Sequence, residues 1–145
     1  MSSYNKQKGS KFETDVMKYL RSLGHFAERL AKAGANDEGD IVAIIAGQTY
    51  ILECKNRKKI DLPQFWSEAQ TEASNYAKAR GLPLSPLAFV IVKRRNAPTE
   101  KAWVIQPLGE WVDAVSNKTV EALQENSLEK EVSNTIPEMG KGNNN

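Results

Sequence analysis

The stretch GDIVAIIAGQTYILECKN, residues 39–56, predicts a β-hairpin at the centre of the fold. Two runs rich in β-branched residues, over 41–46 and 49–55, are joined by a turn near Gly47 and Gln48. Both runs are apolar almost throughout, which is typical of central strands that are covered on both faces. The charged residues lie only at the two ends of the hairpin, a placement that core packing does not explain.

These charged ends form a candidate metal site. Alternation along a strand puts Glu53 and Lys55 on one face, about 6.5–7 Å apart along the chain, and turns Cys54 to the other. Because the beginning of one antiparallel strand lies beside the end of its partner, we expect Asp40 close to Glu53. Two adjacent carboxylates repel each other, and a divalent cation relieves that repulsion. We therefore expect metal-assisted phosphodiester hydrolysis, with the backbone carbonyl of Cys54 as a further ligand and Lys55 beside a metal-bound water or a phosphate.

The composition limits what kind of site this can be. With one cysteine and one histidine in 145 residues, the chain cannot build a zinc site of Cys and His ligands, so oxygen must hold the metal. The single cysteine also excludes an internal disulfide and fits a reducing cytoplasm. No apolar run approaches a membrane span, and the N-terminus has no signal-peptide pattern. Residues 1–95 are basic in balance and residues 96–145 acidic, which favours a polyanionic partner only slightly over an ordinary solvated surface.

The remaining pattern predicts an α/β protein with a mixed sheet that has helices on both faces. A first helix is expected from about Lys11 to Leu23, with Ser10 as N-cap and Gly24 at its end. We interpret residues 1–123 as one domain and the polar, acidic residues 124–145 as a disordered tail. The other predicted elements are a strand over 25–30, a loop over 31–39, a helix from Pro63 to about Arg80, strands over 87–93 and 102–106, and a short helix over 108–115.

Two motifs carry a resemblance to a known family. Asp40 followed by Glu53-Cys54-Lys55 resembles the D…(D/E)-x-K signature of the PD-(D/E)XK nuclease superfamily. The sequence KGSKFE, residues 8–13, is similar to the KG-x-x-FE start of archaeal-type Holliday junction resolvases, and the order of elements over residues 6–95 also follows that family.

The resemblance implies a restriction-endonuclease-like core with a mixed central sheet flanked by helices. It also implies a Mg²⁺-dependent, structure-selective endonuclease, with Mn²⁺ as an alternative ion, that resolves four-way DNA junctions as a homodimer. The compact size and tail also suit a phage-encoded relative, which would act in the host cytoplasm.

Carried over to this chain, the resemblance implies a role for each matching residue. Glu13, Asp40, Glu53 and Lys55 form the catalytic set, with the three carboxylates as metal ligands alongside the carbonyl of Cys54. In two places the chain departs from the family pattern: Gly39 stands where a proline commonly precedes the aspartate, and the loop 31–39 lacks a serine. The residues expected to contact DNA are Lys8, Lys11, Arg29, Lys32, Arg57, Lys58, Lys59 and Gln70.

Some of these residues have simpler interpretations. Ser10-x-x-Glu13 is also a capping box, in which Glu13 would cap the first helix instead of binding metal. Asp37 and Glu38 are rival acids just before Asp40, although they lie in the loop and not at the strand.

Other simpler interpretations concern the end of the hairpin and the residues after it. Glu53 and Lys55 form the pair expected of a weak salt bridge at a sheet edge. The basic loop 57–59 and Gln70 can equally be solvent-facing. Two other functions also stay open: a restriction- or repair-type nuclease of the same superfamily acting on duplex or flapped DNA, and a non-catalytic DNA-binding module.

Overall fold

The computed structural model describes residues 3–116. The chain divides into two compact units, residues 1–106 and residues 107–145. In the second unit, residues 108–116 are helical, in agreement with the prediction of a short helix there. The predicted domain boundary at residue 123 and the predicted tail over 124–145 lie outside the described residues.

The first unit is a mixed five-stranded sheet with one helix on each face, which confirms the predicted α/β architecture. The strands follow one another across the sheet in chain order, and all neighbours are antiparallel except β3 and β4, which are parallel. The elements are α1 (Ser3–Ser22), β1 (Phe26–Arg29), β2 (Ile41–Ile45), β3 (Gln48–Lys55), α2 (Leu62–Ala79), β4 (Leu87–Val92) and β5 (Trp103–Ile105), with short 3₁₀ turns at Gly34–Asn36 and Thr99–Lys101.

Helix α2 makes the crossover that a parallel β3–β4 pair requires. Its start is specified locally, because the Asp61 side chain accepts a hydrogen bond from the Gln64 N–H at 3.2 Å and Pro63 lies in the first turn. No described helix combines the length and the apolar character that a bilayer-spanning segment needs.

The middle of each hairpin strand is apolar, and both of its faces are buried. Leu52 packs on the α1 side with Phe12, whereas its neighbour Ile51 packs on the α2 side with Phe65. Burying an aliphatic or aromatic side chain of this size stabilises the fold by about 1.5–3 kcal/mol. The two-sided core therefore holds β3 at the centre of the sheet.

The hairpin turn lies one residue earlier than predicted. Ile45 pairs with Gln48, so Ala46 and Gly47 form the two-residue loop, with φ of 52° and 77°. Positive φ at both central residues is the requirement of a type I′ turn, whose twist matches that of the flanking strands. Glycine suits the second of these positions, whereas at the first position Ala46 adopts a positive φ that is strained for a residue with a side chain.

Helix α1 begins at Ser3, so the prediction that it starts at Lys11 was wrong. Ser10 lies inside the helix, and its hydroxyl accepts a hydrogen bond from Arg29 Nη2 at 3.1 Å. A tertiary contact thus satisfies the side chain that the sequence pattern assigned to an N-cap. The end of α1 is as predicted, with Gly24 at φ +87° shortly after Ser22.

Candidate active site

Asp40 lies beside the end of β3, as the hairpin register requires. Ile41 pairs with Leu52, and the Asp40 N–H donates to the Leu52 carbonyl at 3.1 Å, which places Asp40 next to Glu53. Asp40 is 2% exposed, and its Oδ2 accepts a hydrogen bond from the Cys54 N–H at 2.7 Å. The backbone of β3 therefore fixes the orientation of this carboxylate.

Gly39 is required by the close approach of the chain to β3. Its φ is +103°, and a Cβ there would lie 2.6 Å from Ile51 Cγ2. Proline, with φ near −65°, cannot adopt this conformation. The departure from the family's proline therefore has a structural reason in this chain.

Glu53 and Lys55 face α2 from the central strand. The Lys55 Nζ lies 3.0 Å from Glu53 Oε1 and also pairs with Glu68 of α2. Burial works to lower the pKa of Lys55, but the charges of Glu53 and Glu68 outweigh burial and raise it, so this lysine stays protonated. The salt bridge at a sheet edge was the wrong interpretation, because β3 is the middle strand of five and the pair is buried.

A second carboxyl of α2, Glu72, lies against Glu53. The Oε2 atoms of Glu53 and Glu72 are both buried. Apart from the contact between these two carboxyl groups, neither atom has a hydrogen-bond partner among the described residues. Burial first, and then the hydrogen bond with Glu53, raises the pKa of Glu72 to about 10. Glu72 is therefore protonated at neutral pH and can donate its proton to Glu53. Burial also raises the pKa of Glu53, while this donation and Lys55 oppose the shift.

Glu13 brings a third carboxylate to the site from α1. It is 9% exposed, and its Oε2 accepts a hydrogen bond from Arg29 Nη2 at 2.6 Å. Arg29 also donates to Ser10 and to Thr14, so its guanidinium ties β1 to α1. The capping-box interpretation of Glu13 was wrong, because Ser10 is not an N-cap. Burial and the nearby charge of Asp40 raise the pKa of Glu13.

Lys32 joins Glu13 to Asp40. Its ammonium contacts Asp40 Oδ1 and lies 3.6 Å from Glu13 Oε1. Burial works to lower the pKa of Lys32, but its hydrogen bond to Asp40 and the charges of the carboxylates outweigh burial and raise it. A cation therefore stands between these two carboxylates.

The rival acids in the loop serve other contacts. The Asp37 side chain accepts a hydrogen bond from the Ala33 N–H, and Glu38 pairs with Arg80 at 2.7 Å. Among the three acids before the first hairpin strand, Asp40 is the one that faces Glu53.

The carboxylates lie in a cavity of about 1100 Å³ that also has many basic residues. Of the residues predicted to contact DNA, three do not line it. Lys11 pairs with Asp15 at 2.7 Å on the exposed side of α1, and Lys59 and Gln70 are exposed. The positively charged residues that line the cavity are Lys6, Lys8, Arg29, Lys32, Lys55, Arg57, Lys58 and Arg95.

Several site residues were missed by the sequence reasoning. Glu68 and Glu72 are four residues apart on α2, so their side chains lie on the same side of the helix. Both border the apolar stripe of α2, which would have indicated that they lie near the sheet. Arg95 follows β4, whose carboxyl end lies beside that of β3 because the two strands are parallel. Tyr4 and Lys6 precede the predicted start of the first helix at Lys11, but they lie on α1 and line the cavity.

The carboxylates of Glu13, Asp40 and Glu53 offer oxygen ligands, which suit a hard divalent cation. Within residues 3–116, no group of three or more His, Cys, Asp or Glu side chains is arranged to hold a metal ion. The ammonium groups of Lys32 and Lys55 stand among the carboxylates and draw them into ion pairs. Burial raises the pKa of the Cys54 thiol well above its usual value, so only the backbone of Cys54 suits a metal.

Comparisons with known proteins place the chain in a family. The sequence model of the archaeal Holliday junction resolvase (Hjc) family matches residues 4–81. The solved structure of Hjc from Archaeoglobus fulgidus, described as a Holliday junction resolvase from an archaeal hyperthermophile, is 26% identical. That match covers 64% of this chain and 74% of the other, with a TM-score of 0.43. None of the curated proteins matches. Because the family match extends over more than half of its residues, this chain belongs to the archaeal Holliday junction resolvase family and is a junction-resolving endonuclease.

Proposed function

We propose that the chain cleaves four-way DNA junctions by hydrolysis assisted by a divalent cation, Mg²⁺ or alternatively Mn²⁺. Asp40, Glu53 and Glu13 are the proposed ligands, and Lys55 is the proposed catalytic lysine. One observation carries the proposal: buried carboxylates from α1, from the start of β2 and from β3 meet at a cavity with a basic lining. Carboxylates of this kind repel one another and attract a cation.

The chain's own residues prepare this site. The Cys54 N–H orients Asp40, Lys55 pairs with Oε1 of Glu53, and Glu72 lies against the same carboxyl group. Such fixed positions reduce the reorganisation that binding would otherwise require. When bound, a divalent cation lowers the pKa of a water and offsets the charge of the phosphate.

Lys55 acts as a cation and not as a base in this proposal. Its raised pKa keeps it protonated, and its ammonium lies over the Phe65 ring at 5.1 Å from the centroid. With Glu53 and Glu68 as further partners, the ammonium is held beside the carboxylate. It is thus placed to offset charge that develops on a phosphate bound to the same carboxylate.

The basic lining of the cavity suits the sugar-phosphate backbone of DNA. Lys8, Arg57, Lys58 and Arg95 line the cavity from the start of α1 and from the segments that follow β3 and β4. Contacts to phosphates set position and affinity without reading base sequence. A DNA substrate and a single free cysteine are consistent with action in the cytoplasm.

We further propose that two copies of the chain act together. Paired cuts on a four-way junction require two active sites, and two-fold symmetry supplies them. In the first unit, Trp103 and Val104 of the edge strand β5 are 55% and 65% exposed, and in the second unit Trp111 and Val112 are 54% and 43% exposed. Exposed apolar residues of this size are typical of interfaces. Sedimentation of the wild type and of Trp103→Glu tests this, because a mutation at the interface would yield monomers.

The catalytic proposal is tested by cleavage of a synthetic four-way junction and of linear duplex DNA, with Mg²⁺ and with EDTA. We expect junction cleavage only with Mg²⁺, and its loss in Asp40→Asn and Glu53→Gln while junction binding is retained. Asp15→Asn is the matched control, since Asp15 is a carboxylate of α1 that pairs with Lys11 away from the cavity. Unchanged cleavage in Asp40→Asn would show that the proposed mechanism is wrong.

The same assay distinguishes the two other functions. Equal cleavage of junction and linear duplex would favour a restriction- or repair-type nuclease with the same site. Junction binding without any cleavage in Mg²⁺ or Mn²⁺ would favour a non-catalytic module.

A further inference from the structure

We propose that Lys32 is an internal counter-ion of the active site, which holds Glu13 and Asp40 together and which a divalent cation must displace before it can bind. The inference rests on the proposed metal site. It concerns how that site is occupied when no metal is bound, and it predicts that removing Lys32 tightens metal binding.

The position of the Lys32 ammonium carries the inference. It contacts Asp40 Oδ1 and lies 3.6 Å from Glu13 Oε1, so one cation bridges carboxylates from two different elements. Asp40 is 2% exposed and Glu13 is 9% exposed. Two buried carboxylates with no cation between them would repel each other. A lysine and a divalent ion placed between them would repel each other in turn, so the two compete for the same pair of side chains.

Among the cations of residues 3–116 that contact the proposed ligands, Lys32 is the one that can leave. The Lys55 side chain is 5% exposed and is held between Glu53, Glu68 and the Phe65 ring. Arg29 is tied to α1 by hydrogen bonds to two hydroxyls in addition to its ion pair with Glu13. The Lys32 side chain is 56% exposed, and its ammonium is attached through a flexible four-carbon stem.

The loop that carries Lys32 allows this movement without unfolding. Its far end is fixed to α2, because Asn75 donates to the Asp37 carbonyl at 2.9 Å and Arg80 pairs with Glu38 at 2.7 Å. Lys32 lies near the other end of the loop, two residues after Leu30, whose N–H donates to the Asp40 carbonyl at 2.9 Å. The backbone is therefore anchored on both sides, and rotation of the lysine side chain alone can open the space between the carboxylates.

A counter-ion has two effects of opposite sign, which a residue with only a structural or DNA-binding role would not have. Removing it destabilises the metal-free protein, because Glu13 and Asp40 are left unneutralised. Removing it also strengthens metal binding, because the competing charge is gone. The release of Lys32 on metal binding would then free an ammonium in the cavity for a DNA phosphate.

Titration calorimetry with Mn²⁺ alone, on the full chain without DNA, tests the inference. We expect Lys32→Met to bind Mn²⁺ roughly tenfold or more tightly than the wild type, since a charge within about 4 Å of the carboxylates is removed. Lys58→Met is the matched control: it removes one charge from the same cavity, from a residue that does not bridge Glu13 and Asp40, and should change the affinity by less than about threefold. In EDTA, the melting temperature of Lys32→Met should be lower than that of Lys58→Met.

The outcomes separate this inference from the proposed function. If the wild type binds Mn²⁺ and Asp40→Asn does not, but Lys32→Met binds no more tightly than Lys58→Met, Lys32 is not a competitor. If neither the wild type nor Lys32→Met binds Mn²⁺, or if Asp40→Asn binds as well as the wild type, the metal site itself is wrong. Should Lys32→Met not fold, Lys32→Gln serves the same comparison, and Lys32→Arg, which keeps the charge, should remain within about threefold of the wild type.

Discussion

Replacing Gly39 with alanine should destabilise the protein much more than the same change at Gly47. At both positions φ is positive, +103° and +77°, and an L-residue there costs about 1–2 kcal/mol. At Gly39 alone, the new Cβ would lie 2.6 Å from Ile51 Cγ2, and Ile51 is 0% exposed in the central strand. Overpacking of this kind costs typically about 1–3 kcal/mol. We therefore expect a loss of about 2–5 kcal/mol for Gly39→Ala and about 1–2 kcal/mol for Gly47→Ala.

Urea unfolding of the metal-free protein, followed by circular dichroism, measures this difference. Small domains have free energies of unfolding of about 5–15 kcal/mol, so the larger loss is readily resolved. The m-value should stay constant, which shows that the change is in stability and not in the surface exposed on unfolding. Gly47→Ala is the control for backbone strain, because nothing lies within 4 Å of a Cβ at that position. If the two variants lose the same free energy, the contact with Ile51 does not constrain Gly39 and the reasoning is refuted.

Three further predictions concern the site. Asp40→Asn and Glu53→Gln should each reduce Mg²⁺-dependent junction cleavage by about a hundredfold or more, measured in single-turnover assays with junction binding as the control. The metal-free protein should lose stability as the pH rises from about 5 to 9. In the folded protein Glu72 has a pKa of about 10 and keeps its proton over this range, whereas in the unfolded chain the same group releases its proton above about pH 4.3. Because the folded state binds the additional proton, raising the pH favours the unfolded state. Thermal unfolding checks this sign, and Glu72→Gln should flatten the dependence; an equally steep curve would contradict the assignment. Cys54 should react with iodoacetamide at pH 8 far more slowly in the folded protein than in urea, because burial raises the pKa of its thiol.

The hairpin shows how much of the site follows from sequence. Two strands joined by a two-residue turn have one register, so the position of Asp40 beside Glu53 and the common face of Glu53 and Lys55 depend only on residues close in the chain. The nearly continuous apolar run also indicated that β3 is covered on both faces. In contrast, the start of α1 was misplaced, because Ser10 has a typical N-cap side chain whose actual partner, Arg29, lies on another element.

The sequence by itself determined the strands, the two helices and the pair of acids at the ends of the hairpin, because period and turn chemistry act over a few residues. The family resemblance of the sequence already named Glu13 as a further carboxylate, but only the tertiary structure decided that Lys32 from a loop and Glu68 and Glu72 from α2 also meet them. It also separated the basic residues that line the cavity from those, such as Lys11, that face away from it. The physical reason is that helical periodicity identifies only the apolar stripe that packs on the sheet. The direction of each polar side chain at the edge of that stripe depends on how the helix is rotated and on where it ends against the strands.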